Sequence, residues 1–124
     1  MFSIDEIHDI LDEVALELPE ELFMELNGGV SLLPETKHNA ADRGGGLYTL
    51  GEYRQDQMGR YIVLYYGSIC AVHGGETREE LRANLKKLLA HELTHHVESM
   101  AGERSLEIKD EIRINEYLNG KGQD

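Results

Sequence analysis

The chain has 124 residues, the size of one ordinary domain, with 24 acidic against 12 basic side chains and a formal net charge of −12. That balance, with the cations scattered apart from Lys86 and Lys87, excludes a surface built for phosphate backbones or anionic membranes. The single cysteine, Cys70 in the apolar run YIVLYYGSICAV, excludes an internal disulfide framework and points to a buried thiol in a reducing, cytoplasmic compartment.

Residues 1–124 read as a single domain. The opening stretch MFSIDEIHDILDEV has neither a basic n-region nor an apolar core, so no signal peptide is expected. No apolar run approaches the roughly 18 residues a membrane span needs. In SIDEIHDILDEVALEL, Ile4, Ile7, Ile10, Leu11, Val14 and Leu18 recur at helical spacing, with Ser3 placed to cap the helix. His8 lies on this helix with no second histidine nearby and is assigned no chemistry. Pro19 opens a short second helix, PEELFMELNGG, which the glycines close.

VSLLPE is a short strand ended by Pro34, and residues 35–46 form an exposed loop ending in three glycines. LYTLGEY and RYIVLYYGS are β-branched and aromatic runs joined as a hairpin. AVHGG is a break. Thr77, followed three residues later by Glu80, is a capping box that starts a long helix with no interruption before Gly102, its expected stop. A last helix, SLEIKDEIRINEYLNG, precedes a loose tail, KGQD.

The long helix carries HELTH, residues 91–95. At 100° per residue, Leu85, Leu89, Leu93, Val97 and Met100 form the core face, while Leu88, His91, His95 and Glu98 fall on another, with Glu92 between them. Residues four apart are neighbours on a helix, so His91 and His95 can offer nitrogens to one ion at about 2.0–2.1 Å each. Glu92 then projects toward the open coordination position, where a carboxylate can take a proton from a water that zinc has acidified. The metal expected is Zn2+.

A catalytic zinc needs a third protein ligand. Glu98 lies on the order of 10 Å from His91 along the axis, too far without strain. A chain that reverses at Gly102 and returns as an antiparallel helix reaches the level of His95 near Asp110, the preferred ligand, with Glu107 next. Glu103 belongs at the turn itself. His96 is half-turned toward the core and is expected to pack there. His38 and His73 lie in loops; His73 or a tyrosine of YIVLYY could polarise a substrate carbonyl, and nothing in the sequence selects one.

LYTLGEY, GRYIVLYYGS, REELRANLKKLLAHELTHHVESMAGE and LEIKDE together resemble a family of small bacterial zincin-like metallopeptidases. The resemblance implies a compact α+β zincin-like fold: a small, mainly antiparallel sheet on a long HExxH helix, with N-terminal helices and a C-terminal helix. It also implies one zinc held by His91 and His95, and Glu92 as general base. Some relatives have a glycine three residues after the second histidine and an aspartate three beyond it. Here Glu98 stands at that glycine, and three beyond Gly102 is Ser105, a poor zinc ligand, so Asp110 rests on geometry.

The expected activity is hydrolysis of peptide bonds, with a peptide or protein as substrate, by a monomer or with a protein partner that completes the cleft. The alternative is a metal-binding regulatory or interaction module without peptidase activity.

Overall fold

The computed structural model describes residues 1–39 and 47–112, with residues 104–112 described as helical backbone only. Helix α1 (Ile4–Glu17) begins with a capping box: the Ser3 hydroxyl accepts from the Glu6 amide at 3.1 Å, and the Glu6 carboxylate accepts from the Ser3 amide at 2.7 Å. Its apolar line, Ile7, Ile10, Leu11 and Val14, is buried.

The expected second helix is a single 3-10 turn, Glu20–Phe23. Glu25 takes φ 64°, a left-handed conformation that turns the chain out of the helical path and tucks Leu26 into the core. Strand β1 (Gly29–Leu33) follows, then the short pair β2 (Lys37–His38) and β3 (Tyr48–Thr49), β4 (Gly51–Asp56) and β5 (Gly59–Tyr65). The main sheet runs β1-β5-β4, with β1 parallel and β4 antiparallel to β5; β2 and β3 pair antiparallel. Two of these three pairings are antiparallel, as expected, and the sheet as a whole is mixed.

The β4–β5 hairpin is tighter than the sequence suggested, because Gln57 and Met58 alone connect Asp56 to its partner Gly59. Gly59 has φ 113°, and a Cβ there would meet the Asn27 side chain at 2.6 Å, so only glycine fits.

Residues 66–68 do not extend the strand. Helix α2 (Tyr66–His73) starts directly after Tyr65, replacing both the strand end and the expected break. Buried residues run continuously from Ile62 to Tyr65 and then switch to Ser68 and Ile69, the change from a covered strand to one face of a helix. The Ser68 hydroxyl fixes the turn, accepting from the Lys37 amide at 2.8 Å and donating to the Lys37 carbonyl at 3.1 Å.

Helix α3 (Arg78–Ile112) begins at the predicted capping box, with Glu80 N bonded to Thr77 Oγ1 at 3.1 Å and Thr77 N to the Glu80 carboxylate at 3.0 Å. It does not stop at Gly102. That glycine is not among the residues with positive φ, and the next residue, Glu103, is tied to β5 and β4 by Arg60 and Gln55. Those ties reward another turn of helix, and a glycine inside a helix costs only about 1 kcal/mol against alanine.

Leu81, Leu85, Leu89 and Leu93 of α3 meet α1, Ile62 and Leu64 of β5, and Ile69 of α2 in one core. Val97 is 42% exposed, and His96 instead continues the buried line. Basic residues of α3 clamp α1: Arg78 and Arg82 hold Glu13 at 2.8 and 3.0 Å, and Arg82 and Lys86 hold Glu17. Among the described residues no helix is long and apolar enough to cross a membrane.

Candidate metal centre

The clamp and the sheet fix which flank of α3 stays open. Arg78, Arg82 and Lys86 give one flank to α1. Strand β4 lies along the other and runs in the same direction as the helix. At its start, a Cβ on Gly51 would stand 3.4 Å from Leu88 and 2.6 Å from Leu64, so the missing side chain lets the helix approach. In the middle, the Tyr53 hydroxyl meets His96 Nδ1 at 2.9 Å; at the end, Ser99 Oγ donates to Gln55 at 3.0 Å. Asn84, Leu88, His91, His95 and Glu98 follow one another along the α3 flank that β4 borders.

His91 and His95 come together as the sequence predicts. Their Nε2 atoms are 3.2 Å apart, with the rings edge-on at 81° and centroids 4.6 Å apart. Two nitrogens at that separation, each about 2.0–2.1 Å from one ion, subtend roughly 100° there, close to tetrahedral. The donor set and its spacing therefore fit zinc. Both histidines are exposed, which leaves room for solvent and substrate.

Glu92 sits beside them and is 5% exposed. Burial pushes its carboxyl above the usual carboxylate range; His91 and His95 pull the other way, and the charge of Glu52 adds to the rise. Among the described residues no donor reaches it. A carboxylate with raised proton affinity and no donor among the described residues is suited to take a proton.

Glu98, weighed as a ligand, instead faces the other nitrogen of His95, its Oε1 being 3.9 Å from Nδ1. From there it can steady the ring, the usual task of a carboxylate behind a ligating histidine. Glu103 is committed to Arg60 and Gln55. Among the described residues no third His, Cys, Asp or Glu brings a ligand atom to the pair. The reversal at Gly102 on which Asp110 was chosen is absent: Asp110 and Glu107 continue α3, and their side chains lie outside the described residues. Along an unbroken helix, Asp110 is on the order of 22 Å beyond His95.

His96 packs as expected and does more than fill an edge. It is 1% exposed, with Nε2 2.7 Å from the Met24 carbonyl and Nδ1 on Tyr53. A carbonyl only accepts, so Nε2 carries the proton and Nδ1 takes the tyrosine's. The ring joins α3 to β4 and to the segment after the 3-10 turn. His38 stacks on Tyr48 at 5.0 Å, and His8 lies on the exposed face of α1 with Asp9 and Asp12.

The sequence did not reveal the group built on Glu52. Burial would raise its pKa, yet hydrogen bonds from Lys37, Arg54 and Tyr65 bring it down to about 2. Tyr65 is raised by burial and by this carboxylate. Glu52 is thus a fixed negative charge next to Gly51, felt at Glu92. Its three partners sit on β2, β4 and β5, so only the folded arrangement of the two sheets exposes the signal.

The family model described as zincin-like metallopeptidase matches residues 5–111. A solved structure, a conserved hypothetical protein from Thermo thermophilus, is 31% identical over 82% of this chain and 99% of that one, with a TM-score of 0.67. No curated protein matches. A match over residues 5–111, spanning both the sheet and the HELTH helix, places the chain in the zincin-like metallopeptidase family.

Proposed function

We propose that the protein is a zinc-dependent peptidase in which His91 and His95 hold the ion and Glu92 is the general base. The observation that carries this is the 3.2 Å separation of the two Nε2 atoms next to a buried carboxylate that no described residue bonds. Zinc held there supplies a Lewis acid that acidifies a coordinated water and polarises a carbonyl oxygen. Glu92 takes the proton of the attacking water on its carboxylate and later delivers it to the departing amine nitrogen.

Asp110 stays the third ligand proposed from the sequence; in the unbroken α3 it lies on the order of 22 Å beyond His95, so it serves the ion only where the chain opens between them. Glu98 behind His95 keeps the ring in register. The substrate is an extended peptide or flexible protein segment. Strand β4 ends the sheet among the described residues, and its outer edge offers main-chain groups to such a segment. A short chain builds a shallow cleft, so the substrate is small or a protein partner supplies further walls. One half-buried cysteine, Cys70, fits work in the cytoplasm.

The test is Glu92→Gln. It is expected to keep one zinc per chain and to lose chelator-sensitive cleavage of a mixed peptide library by about 10²-fold or more. Retained cleavage removes the assigned base. A wild-type protein that binds zinc fully and cuts nothing leaves the metal-binding module.

A further inference from the structure

The open flank of α3 carries a second ordered imidazole. His73, the last residue of α2, has Nδ1 2.7 Å from one oxygen of Glu76, and Asn84 of α3 donates to the other oxygen at 2.9 Å. A carboxylate only accepts, so Nδ1 carries a proton, and in the neutral ring Nε2 keeps its lone pair. His96 shows what a purely structural histidine looks like in this protein, with both nitrogens bonded. His73 differs: its side chain is 18% exposed, and among the described residues Nε2 has no partner and is not sealed from solvent.

The position is as telling as the open nitrogen. Asn84 lies two turns before His91 on the same flank, about 10 Å along the axis. Helix α2 packs on β3, which leads straight into β4. His73 therefore stands beyond Leu88 on the flank that carries the histidine line, near the start of β4. An extended peptide covers 10 Å in about three residues.

We propose that His73 is a substrate-binding residue of this flank, its Nε2 accepting a main-chain N–H of an extended peptide about three residues from the reacting bond. The inference rests on the peptidase reading. Glu76 and Asn84 are positioning residues that fix the tautomer and the ring plane. The site is selective for length: a peptide that ends before this point gains nothing from it.

The experiment uses the full-length, zinc-loaded Glu92→Gln protein and fluorescein-labelled tetrapeptides and octapeptides, with binding read by anisotropy. The octapeptides carry an N-methyl group on each amide in turn. One methylation is expected to weaken binding about tenfold, the scale of one hydrogen bond. With His73→Ala added, octapeptide binding falls about tenfold and that methylation no longer matters, while tetrapeptide binding shifts less than twofold. His73→Gln, whose amide oxygen accepts an N–H, restores most of the affinity and guards against misfolding. Equal losses for short and long peptides, or N-methyl sensitivity that survives His73→Ala, overturn the role of His73. Cleavage by the wild-type chain is scored separately. A chain that cuts the library but fails the methylation test loses this inference alone, and one that binds no peptide loses both.

Discussion

The Nε2 atoms of His91 and His95 stand 3.2 Å apart on successive turns of α3, on the flank that α1 and the core leave open. Without a cation, two nitrogens so placed must share a proton or set lone pair against lone pair. A divalent ion removes that conflict. Replacing either histidine by alanine should abolish stoichiometric zinc in the purified protein, measured by inductively coupled plasma mass spectrometry. Chelation should lower the melting temperature of the wild-type chain and leave that of the alanine variants unmoved, because only a binder of the folded state stabilises it. Equal zinc in the variants would send the ion elsewhere.

The two carboxylates weighed as zinc ligands divide by task. Asp110→Ala should weaken zinc binding at least tenfold, as loss of a direct ligand does, and Glu98→Ala should weaken it less, by loosening the His95 ring. Competition titration against a chromogenic chelator ranks the two. A ranking in the opposite order moves the third ligand to Glu98.

Tyr53 donates to a histidine nitrogen that nothing else described satisfies. Tyr53→Phe keeps the ring and removes the donor, stranding Nδ1 of a residue that is 1% exposed. The expected loss is about 1–3 kcal/mol in urea unfolding. The effect of Tyr53→Phe should largely vanish when His96 is already alanine, since the two act as a pair. Additive losses would show that the bond contributes nothing of its own.

The pH dependence of stability has two opposed parts. Hydrogen bonds from Arg82 and Lys86 hold Glu17 at about 2, against 4.5 for an ordinary glutamate. A folded pKa below the unfolded one means stability that is present above 4.5 and is lost as pH falls toward about 2. Glu92 runs the other way, because burial raises its folded pKa and its charge opposes folding at neutral pH. Glu17→Gln should therefore flatten the acid limb of the stability curve, whereas Glu92→Gln should raise the melting point of the metal-free protein at pH 7 by a few degrees. Denaturation series from pH 3 to 8 check both, and a Glu92→Gln variant less stable than wild type contradicts the burial argument.

Helix α1, the start of α3 and the histidine pair were legible because each is a local pattern: a capping box, an apolar repeat, a four-residue spacing. The β4–β5 hairpin was legible for the same reason, as two β-rich runs around a glycine. The errors fall where tertiary contacts decide. Gly102 reads as a stop until Arg60 and Gln55, far away in sequence, are found holding Glu103. Residues 66–68 read as the end of a strand, and AVHGG as a break, until Ser68 is seen bonding Lys37. The third ligand stayed out of reach because its choice depended on that same reversal. Glu52, Tyr53 and His73 each have at least one partner 11 to 43 residues distant, a range no periodicity reports.

The clamp between α1 and α3 also shapes the electric field of the molecule. Arg78, Arg82 and Lys86 all spend their charge on Glu13 and Glu17 at the rear, in a chain whose formal charge is −12. The histidine side carries the carboxylates of Glu92 and Glu98, and the net negative field of the chain draws cations toward it. Ion loading should accordingly be rapid in dilute buffer and slow markedly as added salt shortens the reach of that attraction.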